Sequence, residues 1–126
     1  MKLRIKGNSL RLRVTQSEIA RLIDTGRIEE TVHLGVEESE CLTYALECAP
    51  QSPSIFVRYG SHEIAVVVSS DDAHHWASSQ SVGLYGTVPT SDGALELAIE
   101  KDFACLDKSD EENADRFPNP RQGMTC

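Results

Sequence analysis

The chain of 126 residues lacks any apolar run near the roughly 18 to 20 residues that a bilayer-spanning helix needs. No membrane-spanning helix is therefore expected within it. Its start, MKLRIKGNS, carries charges where a signal peptide would need an apolar core, so the expected setting is cytoplasmic. Cysteine is scarce: Cys41, Cys48, Cys105 and Cys126 form no C-x-x-C pair and no zinc-type spacing. Free thiols are the expectation, and a secreted two-disulfide scaffold is the less fitting alternative. No G-x-S-x-G elbow, Walker loop, dinucleotide-binding glycine fingerprint or EF-hand loop is present. The commonest motif-bearing hydrolases, NTPases and calcium sensors therefore have no foothold. Aromatics make up only 6% of the chain, with one tryptophan, which leaves aliphatic residues to build the core.

What is present is a charge asymmetry. The net charge is −8, yet residues 1–27 hold seven basic and two acidic residues, and the remainder five basic and eighteen acidic. An acidic chain with a basic leading segment is a poor non-specific nucleic-acid binder but can build a local anion site.

An internal repeat organises the sequence. LRVTQSEIARLIDTGRI (12–28) aligns with VVVSSDDAHHWASSQSV (66–82) at an offset of 54, and LTYALE (42–47) aligns with LELAIE (95–100). In each copy, period-2 strands precede a hydroxyl cap, Thr15-x-x-Glu18 or Ser69-x-x-Asp72, and a short amphipathic helix follows. Gly26 is placed to stop the first helix as a left-handed cap. Gly7-Asn8 and Gly60-Ser61 are expected as hairpin turns. Two further strands follow each helix, near 27–34 and 41–48, then 82–88 and 93–101. The expected fold is therefore α+β: a duplicated ββαββ unit, repeats 1–48 and 54–103 of one domain, with an antiparallel sheet of about eight strands, open or curled into a barrel. Two short helices cover its outer face. Residues 104–126 are acidic, contain Pro118 and Pro120, and are expected to form a mostly disordered tail with Phe117 pinned to the body.

Strand alternation puts Leu3, Leu10, Leu12, Val66, Val68 and Ile99 under the helices, and Lys2, Arg4, Lys6, Arg11 and Arg13 on the opposite face with Glu47, Phe56, Arg58, Val67, Tyr85, Glu96 and Glu100. A face that is charged and partly apolar is expected to meet a partner protein or a second copy of the chain. The expected function is accordingly a small binding or interaction module. His74 and His75 are helix neighbours about 100° apart and cannot both face one metal; His74, aligned with Ala20, is expected to be half-buried.

As whole strings, LRIKGNSLRLRVTQSE, IEKDFACLD (99–107) and FPNP (117–120) resemble a family of short bacterial proteins without an assigned activity. The architecture of two four-strand units with a charged interior is similar to that of the triphosphate tunnel enzymes, CYTH-like barrels, although the first strand reads KLRIK where that family has E-x-E-x-K. This second resemblance implies an alternative function, a hydrolase or ligand-binding barrel for phosphorylated or other anionic small molecules. It assigns Arg4, Arg11, Arg13 and Arg58 to the anion and Glu47, Glu96 and Glu100 to Mg²⁺.

Overall fold

In KLRIK and SLRLRV every second residue is apolar, so an extended backbone sends the aliphatic and the basic side chains to opposite faces. These segments form strands β1 (Lys2–Lys6) and β2 (Ser9–Val14), followed by helix α1 (Gln16–Thr25), β3 (Arg27–His33) and β4 (Cys41–Ala49). The second copy repeats the order: β5 (Ile55–Gly60), β6 (Glu63–Ser69), α2 (Ser70–Ser78), β7 (Gly83–Thr90) and β8 (Gly93–Lys101). The computed structural model describes residues 1–50, 54–103, 115 and 117.

The helices start where the sequence signals them. The Glu18 carboxylate accepts from the Thr15 amide at 3.0 Å, and the Ser69 hydroxyl accepts from the Asp72 amide at 3.1 Å, so each first turn has a side chain satisfying a free backbone donor. Glu18 also takes the N-terminal amine of Met1; burial raises its pKa, and these hydrogen bonds outweigh that and hold it below the ordinary carboxylate range. Gly26 adopts φ 84° and its amide closes α1 onto the Leu22 carbonyl at 2.8 Å. Each helix turns one apolar stripe inward: Ile19 and Leu22 from α1, Ala73 and Trp76 from α2. Trp76 is fully buried and its indole N–H donates to the Val82 carbonyl at 3.2 Å.

The eight strands form two sheets rather than one. The first has the order β1-β2-β8-β7 and the second β3-β4-β6-β5. The outer pairs are antiparallel hairpins as expected, but the central pairs, β2·β8 and β4·β6, are parallel and join one repeat to the other. The sheet therefore does not close into a barrel. The cause is topological: each copy gives one hairpin to each sheet, and exchanging the copies exchanges the sheets. The hydrogen bonds repeat accordingly. Cys48 N–H to Gly26 O (2.9 Å) has its counterpart in Lys101 N–H to Val82 O (3.0 Å), and Thr43 N–H to His62 O (2.9 Å) in Glu96 N–H to Asn8 O (3.1 Å).

One core holds the fold together. Leu12, Val14, Leu97 and Ile99 of the first sheet and Ile28, Leu46, Val66 and Val68 of the second meet both helices in a single cluster. The two sheets also adjoin along β5 and β7. Gly86 makes that approach possible, because a Cβ there would collide with Cγ2 of Ile55. Pro89 lies in β7, an edge strand of its sheet, where a missing N–H costs no ladder bond.

Several local expectations need correction. The second hairpin turns on Ser61 and His62, at φ 51° and 63°, and not on Gly60-Ser61, because Gly60 pairs with Glu63 as the last ladder position. His74 is exposed, as is His75. Of the acidic tail, only Asp115 and Phe117 are among the described residues; Cys105, Cys126 and the expected disorder lie outside them. Phe117 does attach to the body: its amide donates to the Asp102 carbonyl at 2.8 Å, and its ring meets Phe103 edge-on at 5.9 Å. The Asp115 carboxylate accepts from the Ser17 amide at 3.0 Å, on the first turn of α1, and the Ser17 hydroxyl bond holds its pKa down.

Candidate functional site: the polar faces of the two sheets

The register places the polar residues of each sheet in three rows. Across the first sheet, from β1 to β7, they run Lys2–Arg13–Glu100–Gly83, Arg4–Arg11–Ala98–Tyr85 and Lys6–Ser9–Glu96–Thr87. Across the second, from β5 to β3, they run Phe56–Val67–Glu47–Arg27, Arg58–Ala65–Ala45–Glu29 and Gly60–Glu63–Thr43–Thr31. Positions correspond one to one under the repeat.

The second face is neutralised from within. Arg58 forks onto Glu47 with nitrogens at 2.7 and 2.8 Å, Arg27 pairs with Glu47 and Glu63, and Glu29 lies 3.0 Å from Arg27. Arg27 starts in the row of Glu47 and reaches the row of Glu63, so its side chain crosses the row between, where Ala65 and Ala45 leave room. Those two alanines are fully buried and Val67 is nearly so. The alanines and Val67 of this face are thus buried within the chain itself, beside its own arginines and glutamates. The hydrogen bonds from Arg58, then Arg27, hold Glu47 below the ordinary carboxylate range, against the opposing effect of burial. Arg27 is correspondingly held in its charged form by Glu29, Glu63 and Glu47.

The first face is not neutralised. It carries five cations, Lys2, Arg4, Lys6, Arg11 and Arg13, against two carboxylates, Glu96 and Glu100. Two cation pairs, Lys2 with Arg13 and Arg4 with Arg11, sit directly opposite each other on neighbouring strands, an arrangement that costs up to about 1 kcal/mol per pair. Lys2 finds Asp102 at 3.3 Å and Arg11 finds Glu100 at 3.2 Å. Arg4, Lys6 and Arg13 have no acidic partner among the described residues. Arg4, Lys6, Ser9 and Arg11 line a pocket of about 180 Å³. Next to it, sharing Ser9 and Arg11, is an open cleft of about 480 Å³ bounded by Tyr85, Thr87, Glu96 and Ala98. Glu100 sets two walls of that cleft, since it also accepts from the Tyr85 hydroxyl at 2.7 Å. Burial and then this bond push the Tyr85 pKa up to about 12.

Of the seven residues singled out from sequence, Arg4 and Arg11 meet in one pocket, and Arg13 stands one row away on the same face. Arg58 is on the other sheet, held by Glu47. The three glutamates are not brought together: Glu47 lies on the second sheet between two arginines, Glu100 is engaged by Arg11 and Tyr85, and Glu96 stands apart. Among the described residues no group of three His, Cys, Asp or Glu side chains is placed to hold a metal, so these acids do not fit a resident Mg²⁺. Arg27 and Glu63 escaped notice in the sequence because each sits at a strand end. Alternation extended by one residue would have put both on the face of Glu47.

Fold and face together define an α+β protein of two four-stranded sheets and two helices, with one self-paired and one cationic sheet surface. The chain belongs to a family of unknown function, DUF7009, whose model matches residues 1–121. No curated protein and no solved structure matches it, and the resemblance to triphosphate tunnel barrels finds no support there. Among the described residues no helix is long and apolar enough to cross a membrane.

Proposed function

We propose that the protein is a small binding module that holds an anionic group on the polar face of its first sheet, with Arg4 and Arg11 as the principal ligands and Lys6, Ser9 and Arg13 around them. The supporting observation is the Arg4–Arg11 pair: two arginines directly opposite on neighbouring strands, lining one pocket, with one carboxylate, Glu100, paired to Arg11 and three further cations nearby. Such a cluster is unfavourable alone and is relieved by a phosphate or carboxylate accepting forked hydrogen bonds. Arg58 does not belong to this site, because Glu47 already occupies its fork. The module is proposed to work in the cytoplasm, a setting that suits the free thiols of Cys41 and Cys48.

Titration with pyrophosphate and tripolyphosphate tests this. Binding should raise the melting temperature by mass action. The rise should vanish in Arg4→Ala and Arg11→Ala and persist in Arg58→Ala. A shift unaffected by Arg4→Ala, or no shift with any anion at millimolar concentration, overturns the reading.

A further inference from the structure

The cleft beside the basic pocket has the opposite polarity at its far wall. Glu96 on β8 faces it, is exposed, and its carboxylate has no partner among the described residues. Its register neighbours, Ser9 and Thr87, are neutral. Thr43, at the equivalent position of the other sheet, carries no charge, so this acid is peculiar to the first face. Tyr85 adds a second feature attractive to a cation. Tyr85 is 60% exposed, lines the cleft, and has its hydroxyl tied to Glu100. An aromatic ring and a free carboxylate lining one cleft make a site for an ammonium or guanidinium group.

From this arrangement we infer that the ligand is zwitterionic: an anionic phosphate or carboxylate held by Arg4, Lys6 and Arg11, joined by a short linker to a cationic nitrogen held by Glu96 and Tyr85. The inference rests on the anion-binding reading and extends it. The span is set by the sheet. The basic pocket lies over β1 and β2, the acidic wall on β8, and neighbouring strands are about 4.8 Å apart, so the two charges of the ligand are separated by roughly 5 to 10 Å. Aminoalkyl phosphates match that charge pattern, free in solution or as the headgroup of an aminophospholipid. Simple dianions match only half of the site.

The experiment compares 2-aminoethyl and 3-aminopropyl phosphate with ethyl and propyl phosphate by calorimetric titration of the full chain. The amine should tighten binding by about five- to tenfold, the scale of one partly exposed ion pair with a cation–π contact. Glu96→Gln should bring the ratio of aminoethyl to ethyl phosphate affinity down to about one, and Tyr85→Leu should lower it in part. Phosphocholine, whose quaternary nitrogen donates no hydrogen bond, should retain the Tyr85 share. Equal binding of aminoethyl and ethyl phosphate, or an amine gain that survives Glu96→Gln, overturns the zwitterion while the anion pocket stands. No binding of any phosphate removes both. Vesicles of phosphatidylethanolamine, compared with phosphatidylglycerol, separate the sources: preferential retention of the protein on the former assigns the headgroup, and binding of the soluble compounds alone assigns a free metabolite.

Discussion

The two polar sheet faces are copies of each other in backbone and opposites in chemistry. Where the second sheet has Arg27, Glu63 and Ala65, the first has Gly83, Ser9 and Arg11. Losing Arg27 and Glu63 opens the ion network, and Lys2, Lys6, Arg11 and Arg13 in place of Phe56, Gly60, Ala65 and Val67 make the first surface cationic. The second face gives up ligand capacity for order: its arginines lie across buried alanines and their hydrogen bonds go to carboxylates of the same sheet. The first keeps unsatisfied charge and a cleft.

The comparison can be broken from either side. Removing the bridging guanidinium, Arg27→Ala, leaves Glu47 and Glu63 with Arg58 alone and uncovers Ala45 and Ala65; unfolding in urea should show a loss of about 1–3 kcal/mol. On the first face the sign reverses. Ser9→Glu supplies the acid that Glu63 provides opposite, and should gain about 0.5–1 kcal/mol while abolishing the pyrophosphate-induced rise in melting temperature. A stabilised variant that still responds to pyrophosphate would show that the pocket is not the anion site.

The paired face is also acid-sensitive. The folded-state pKa of Glu47 is depressed, chiefly by the hydrogen bonds from Arg58, so its stabilisation is complete above the unfolded value near 4.3 and is lost as pH falls through the lower folded value. Glu47→Gln should therefore flatten the stability profile below about pH 4.5; melting curves from pH 3 to 7 check it. The smallest effect belongs to the hairpins. The first turns on Gly7-Asn8, with a left-handed φ only at the glycine; the second imposes left-handed φ on both Ser61 and His62. His62→Gly should stabilise by about 0.5–1 kcal/mol, and Asn8→Gly should not.

Much of this was legible from residues alone. The caps at Thr15 and Ser69, the strand alternation and the repeat are local signals, and the helices and faces follow from them. Sheet order was not. Alternation in SLRLRV states which side chains face the core but is silent on the neighbour, and the neighbour of β2 is β8, whose pairing residues lie far along the chain. An antiparallel eight-stranded sheet and the observed parallel seams satisfy the same pattern. Ion pairing was equally hidden: Arg58 and Arg11 look alike in sequence, and only the register shows one meeting a glutamate fork and the other facing Arg4.

The parallel seams carry a last consequence. Neither repeat can complete a sheet alone, since β2 requires β8 and β4 requires β6. The polypeptide is in effect a tethered pair of similar units, each completing the other's sheets. Expressed as separate fragments, 1–50 and 54–126 should be unstructured individually and reassemble on mixing.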